Sequence, residues 1–153
     1  GIGAMYANGP ITVGIVHQND GRARSATNGK NETENTLFAG AYNFGYAKLG
    51  GGYNEARVRN NGVTDPKSKE WFLGLSAPLG ATTLKAQYAR SKTGNLEHDS
   101  IGIDAVYDFS KRTSAYVGYN VTTFDAAGAL NVGSTTLGDL KNRRFGVGLR
   151  HKF

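Results

Sequence analysis

The chain has 153 residues, 39% of them apolar, a mean hydropathy of −0.43 and a formal net charge of +6. That length suits one domain, the low apolar content argues against a large buried core, and no run approaches the ~20 apolar residues of a membrane-spanning helix. A β-barrel wall escapes this exclusion, because its strands are apolar on one face only and look hydrophilic on average.

Taken in order, nearly every segment alternates with period two, the signature of side chains pointing to opposite faces of a strand. Strands are predicted over about 1–7, 11–18, 34–42, 45–57, 69–77, 82–92, 99–108, 112–123 and 143–153, with ends placed to within about two to four residues. Ile11, Val13 and Ile15 share one parity in the second, and Phe38, Gly40 and Tyr42 in the third. Leu49, Gly51 and Tyr53 follow, then Trp71, Leu73 and Leu75, then Leu84, Ala86 and Tyr88. Ile101, Ile103, Ala105 and Tyr107 precede Ala115, Val117, Tyr119 and Val121. The last strand sets Phe145, Val147, Leu149, His151 and Phe153 against Arg144, Gly146, Gly148, Arg150 and Lys152.

The connections alternate as well. Asn8-Gly9-Pro10, Tyr42-Asn43-Phe44-Gly45, Ala77-Pro78-Leu79-Gly80-Ala81 and Asp108-Phe109-Ser110-Lys111-Arg112 are short and rich in turn residues. The stretches 19–33, 59–68, 93–98 and 124–142 are more polar and mostly longer. Short turns alternating with long polar loops are the pattern of a bacterial outer-membrane barrel, with turns on the periplasmic side and loops outside. The fold class expected is all-β, a transmembrane antiparallel β-barrel, with residues 1–153 as one barrel segment. Nine strands is odd where single-chain bacterial barrels normally have an even number, so a larger barrel is expected, of which this chain is the C-terminal part.

There are no cysteines, which fits an exported chain and rules out thiolate sites in this segment. Gly1–Tyr6 lacks the basic start and apolar run of a signal peptide. The positive charges form no single basic tract, so no nucleic acid is expected as a partner. They sit partly in the predicted loops, at Arg22, Arg24, Lys30, Arg57, Arg59, Lys67 and Lys69. Lys48, Lys85, Arg144, Arg150 and Lys152 instead share the polar parity of the strands with Asp104. Facing lipid, each would cost roughly 2–4 kcal/mol near the midplane, so this parity is assigned to a water-filled lumen and these six residues are the candidate pore lining. Such a wall raises the local concentration of anions. Tyr6, Tyr42, Trp71, Tyr107 and Phe153 fall at strand ends as a candidate aromatic girdle at the lipid–water interfaces.

No catalytic constellation emerges. His17, His98 and His151 lie on separate segments and show no metal-ligand spacing. Asp20, Glu32, Glu34 and Asp65 are too irregularly spaced to read as a cation site. Glu97-His98-Asp99 reads as a solvated external turn. Leu49-Gly50-Gly51-Gly52-Tyr53 has no helix after it, so a phosphate loop is rejected in favour of close backbone approach. Neither enzyme activity, nor a metal, nor a cofactor is expected.

Several of these runs, taken together and in order, resemble the general porins of β-proteobacteria. They are Tyr6-Ala7-Asn8-Gly9-Pro10, Tyr42-Asn43-Phe44-Gly45-Tyr46-Ala47-Lys48-Leu49, Leu73-Gly74-Leu75-Ser76-Ala77-Pro78-Leu79-Gly80, Tyr107-Asp108-Phe109-Ser110-Lys111-Arg112-Thr113 and the ending Phe145–Phe153. The resemblance implies a sixteen-stranded homotrimeric barrel of the outer membrane, with these strands as the eighth to sixteenth. It implies passive diffusion of small ions and hydrophilic solutes, contact with outer-membrane lipid and lipopolysaccharide, and a role for Phe153 as the signal read by the barrel-assembly machinery. Two other readings stay open on the residues alone. One is a closed eight-stranded outer-membrane barrel of adhesive or structural role, with residues 1–9 as a lead-in. The other is a soluble ligand-binding barrel of lipocalin or avidin type, with the parity reversed.

Overall fold

The computed structural model describes residues 1–23, 30–60, 63–64, 67–125 and 140–153. They form one antiparallel sheet. Its strands are β1 (Ile2–Asn8), β2 (Ile11–Ala23), β3 (Lys30–Asn43), β4 (Lys48–Asn60), the two-residue β5 (Val63–Thr64), β6 (Ser68–Leu79), β7 (Thr82–Thr93), β8 (Leu96–Asp108), β9 (Thr113–Asp125) and β10 (Leu140–His151). Sequence neighbours pair throughout, in the order β1-β2-β3-β4-β6-β7-β8-β9-β10, while β5 pairs only with β4. β1 and β10 are not paired with each other, so the sheet is open among the described residues.

The nine predicted strands all form, but their loop ends are longer. The stretch 93–98, expected as an external loop, is a two-residue turn at Gly94-Asn95, with Gly94 at φ 61°. Glu97, His98 and Asp99 therefore lie on β8 and not in a turn. Residues 19–23 and 30–33, also read as loop, extend β2 and β3. Of the loop expected over 124–142, residues 126–139 lie outside the described residues, as do Arg24 and Asp65. At the other end the turns are tight. Gly9, Gly45 and Gly80 have φ of 54°, 89° and 64°, which glycine alone adopts without strain. β4 begins at Lys48 and not at Gly45. The Gly45 N–H donates to Asn43 Oδ1 at 2.9 Å and the Phe44 N–H to the Ala47 carbonyl at 2.8 Å, closing the turn before the strand.

Register settles the faces, because directly opposed residues share one. Phe145 opposes Tyr119, Tyr119 opposes Ile103, and Ile103 opposes Ala86. Ala86 opposes Leu75, Leu75 opposes Leu49, Leu49 opposes Tyr42, and Tyr42 opposes Ile11. One face is thus apolar from β2 to β10. It is also bare: on β6, Trp71, Leu73 and Leu75 are 43–49% exposed, while Phe72, Gly74 and Ser76 between them are half-buried. The chain exposes 11197 Å², against about 7,500 Å² for a folded soluble chain of its mass. The single layer has no core; Ala47 is the only buried apolar residue among the described ones. Such a sheet is not stable in water, and lipid is the solvent that its apolar face suits.

Glycines on the polar face are not bare floor. The Phe72 ring lies over Gly52, the Tyr116 phenol over Gly148, the Asp104 carboxylate over Gly118, and the Gln87 and Asn120 amides over Gly102. Each glycine directly opposes the residue that covers it. Space for a cross-strand neighbour explains these glycines better than a wide lumen does. At Gly52 backbone stands in the way as well as a side chain: an added Cβ would sit 2.7 Å from the Phe38 carbonyl oxygen and 2.6 Å from Phe72 Cζ. Backbone has to move to admit it, so Gly52→Ala is expected to destabilise the barrel by about 1–3 kcal/mol. The check is the temperature at which the folded form disappears in detergent; Gly146→Ala, where nothing lies within 4 Å, is the matched control.

Candidate functional site: the polar concave face

The polar face forms a trough of about 820 Å³, lined on this side by Met5, Val16, Leu37, Lys48, Phe72 and Lys85 among others, and bordered too by Val13, Leu73, Leu75 and Tyr88 of the opposite parity. Three of the six predicted lining residues meet there. Lys48 opposes Ser76, Ser76 opposes Lys85, and Lys85 opposes Asp104, so one transverse row carries two ammonium groups and a carboxylate. β4, β7 and β8 position them, and the one-residue alternation of each strand turns all of them to the same side. Arg144 lies one row away, opposite Asn120. Arg150 opposes Ser114 near the short-turn end, and Lys152 follows β10, its N–H donating to the Arg112 carbonyl at 2.9 Å. These three share the face but do not line the trough.

The same register reveals residues that sequence reasoning missed. Asp20, Glu70 and Asp108 have the parity of Asp104. The polar face thus sets four carboxylates among its cations, so its excess of positive charge is smaller than the single Asp104 suggested. Around Asn120 the wall is a neutral hydrogen-bond network. Asn120 Nδ2 donates to Ser100 Oγ at 2.9 Å and to the Ile101 carbonyl at 3.1 Å, and the Thr122 hydroxyl, with one proton to give, lies 3.3 Å from Ser100 Oγ and 3.2 Å from Asn120 Oδ1. Among the described residues no group of three His, Asp or Glu side chains comes together to hold a metal.

The opposite face carries the expected girdle residues. Tyr6, Tyr42, Trp71 and Tyr107 all have the apolar parity. Phe153, beyond β10, is fully exposed with its ring 4.8 Å from His151. Aromatic clusters mark the short turns, where Tyr42, Phe44 and Tyr46 adjoin and Tyr107 meets Phe109 at 5.0 Å. Towards the loops, Trp71 packs on Tyr88 at 5.0 Å. The outward apolar run of β6, Leu79 to Trp71, covers eight steps, or about 26 Å along a strand at ~3.3 Å per residue. Tilted by ~35–45°, that run rises about 19–22 Å along the membrane normal, most of the ~25 Å apolar band of outer-membrane barrels.

Beyond the band, the outward parity turns charged. Arg57, Arg59 and Lys69, read as loop charges, sit on β4 and β6, with Lys67 just before β6. Glu55 takes Lys67 at 2.9 Å and Arg57 at 3.5 Å, Glu32 takes Arg59 at 3.8 Å, and His17 lies 3.9 Å from Glu34. Arg90 grips Asp99 with two bonds, Nε to Oδ1 at 2.6 Å and Nη2 to Oδ2 at 2.9 Å, and the Tyr88 hydroxyl donates to the same Oδ1 at 2.7 Å. Lys92 pairs with Glu97. These pairs are part-exposed and contribute little stability singly; their effect is to mark where the apolar band stops.

This two-faced wall has counterparts among known proteins. A solved anion-selective porin from Comamonas acidovorans superposes with a TM-score of 0.83 at 25% identity, over 99% of this chain and 48% of that one. OmpT, an outer membrane protein of Vibrio cholerae in its trimer form, superposes at 0.72 and 17% identity, over 97% of this chain and 54% of that one, a likeness of fold. In sequence, the outer membrane porin protein 32 of Delftia acidovorans is 34% identical over 116 residues, which are 72% of this chain and 32% of that protein. The chain therefore spans between a third and about half of the length of these relatives. The family model of the Gram-negative porins matches residues 1–127, and the chain belongs to that family.

Proposed function

We propose that this chain supplies nine strands, the eighth to sixteenth, of a sixteen-stranded trimeric barrel in the bacterial outer membrane. The whole protein is then a passive diffusion channel for small hydrophilic solutes, with a preference for anions, and not an enzyme. The observation that carries this reading is the sheet itself: apolar and exposed on one side, polar and trough-forming on the other, with open edges at β1 and β10. Lipid leaves no water to bond unpaired strand edges, so further strands must close the wall. β1 is a full strand paired with β2 over seven positions, which suits a segment of a larger barrel better than the lead-in of a small closed one.

On this reading the short turns face the periplasm and the charged outward band lies among lipopolysaccharide headgroups. Lys48, Lys85, Arg144, Arg150 and Lys152, with Asp104, line the lumen, and Phe153 at the periplasmic rim is what the assembly machinery reads. The name of the Comamonas protein supports the anion preference, as does the cationic excess of the wall. In a planar bilayer under a KCl gradient, the full-length protein is expected to give stepwise conductance and a reversal potential on the anion side. No conductance would overturn the channel; a cation-side potential would overturn the preference.

A further inference from the structure

A wall exposed to lumen water is expected to be polar, yet part of this one is not. Met5, Val16, Leu37 and Phe72 all carry the lumen parity. Gly14, which opposes Met5, is followed two residues on by Val16, and Val16 opposes Leu37. Leu37 opposes Asn54 and Phe72 opposes Gly52, so the four lie in two adjacent rows across β1, β2, β3 and β6. Met5 is 78% and Val16 48% exposed. All four line the trough that holds Lys48 and Lys85.

The trough is therefore graded along its length. At one end are the Lys48 and Lys85 ammonium groups; at the other are Phe72, Leu37, Val16 and Met5. Between them Gly50, Gly74 and Ala41 give a floor with almost no side chains. Phe72 and Ser76, which stands between the two lysines, are four residues apart on β6, or about 13 Å at ~3.3 Å per residue. An extended lysine side chain and a ring-sized acid together span that gap. Glu70 borders the apolar end and disfavours a carboxylate there, whereas at the other end two ammonium groups outnumber the Asp104 carboxylate, so an amphipathic anion has one favoured orientation. Beside Glu70, in register with Leu37, the Asn54 side-chain oxygen is buried with no hydrogen-bond partner among the described residues. An exposed apolar patch rimmed by polar groups marks a place where something binds.

We propose that this trough is a binding site for carboxylates carrying an aromatic or branched apolar group, held by Lys48 and Lys85 through the carboxylate and by Phe72, Leu37 and Val16 through the apolar part. This rests on the channel reading above and adds a solute class to it. Simple inorganic anions use only the cationic end; an amphipathic acid uses both. The site thus slows the passage of such acids and concentrates them in the lumen.

The test uses the full-length protein in planar bilayers, with benzoate and acetate as probes of equal charge. KCl conductance is measured first. A protein that forms no channel overturns the channel reading and the site with it, whereas a conducting channel that does not discriminate the probes overturns the site alone. In conducting channels benzoate is expected to reduce the chloride current at a concentration about tenfold lower than acetate, the effect of removing some 55 Å² of apolar surface from water. Phe72→Ser and, separately, Leu37→Ser are expected to bring the two probes together. This segment has no cysteine, so Leu37→Cys adds one thiol to it: a charged thiol reagent should label the variant beyond the unsubstituted protein, and benzoate but not acetate should protect it. Equal potency of benzoate and acetate overturns the proposal. So does a Leu37→Cys thiol that stays unlabelled in open channels, which would mean that another segment of the barrel covers the patch.

Discussion

Leu75→Arg is expected to lower the stability of the barrel by about 2–4 kcal/mol and to cut the yield of folded protein in membranes, whereas Gln87→Arg is expected to do neither. Leu75 stands midway along the outward run of β6, and a guanidinium there meets hydrocarbon at near midplane depth, where that penalty is largest. Gln87 opposes Gly74, the residue next to Leu75, but on the other face. The two backbone positions thus lie a few ångströms apart in one sheet, and the new side chains differ mainly in their solvent. Two-state stabilities vary between about 5 and 15 kcal/mol for most domains, so the outward charge removes a measurable share. Denaturant unfolding in lipid vesicles reads the difference directly. A larger cost at Gln87 would mean that the parity assignment is wrong, and equal costs that neither face meets lipid.

That parity was legible in the sequence because it is a property of single strands. Phe145, Val147 and Leu149 need no knowledge of their neighbours to define a face, and a one-residue slip would turn the whole set over. What the sequence hid depends on pairing. Glu70 and Asp108 look like strand-end charges of no particular direction until register sets them beside Phe72 and Ser114 on the polar face. Tyr116 over Gly148 and Asp104 over Gly118 are likewise facts of register, which alternation along one strand cannot show. The loop ends failed for a different reason. Outward positions past Trp71 and Tyr88 are charged because they leave the apolar band, not because the strand has ended. Lys92, Glu97 and Asp99 therefore imitate a loop while forming a ladder. The amphipathic trough was missed because Val16, Leu37 and Phe72 each look like a lone break in alternation; only β2, β3 and β6 side by side turn them into a patch.

The mixed charge of the polar face makes its selectivity sensitive. Lys48 and Lys85 are separated by two strand spacings, about 9.6 Å at ~4.8 Å each, comparable with the ~8 Å Debye length at physiological salt. They therefore act on one passing ion together. Exchanging both in Lys48→Glu/Lys85→Glu turns two cations of this row into carboxylates, and the reversal potential in a KCl gradient is expected to change sign towards cations. The neutral pair Lys48→Gln/Lys85→Gln is expected to fall between. Conductance should persist in both, since the side chains keep similar length and stay in water. Screening gives an internal check: the Debye length falls to ~3 Å at 1 M salt, so the difference between the variants should shrink as ionic strength rises. An unchanged reversal potential at ~0.1 M, where the length is ~10 Å, would place the selectivity outside this half of the wall. A sign change that survives 1 M salt would mean that the two residues lie at a constriction narrow enough to strip the ion of its counter-ions, and not on an open wall.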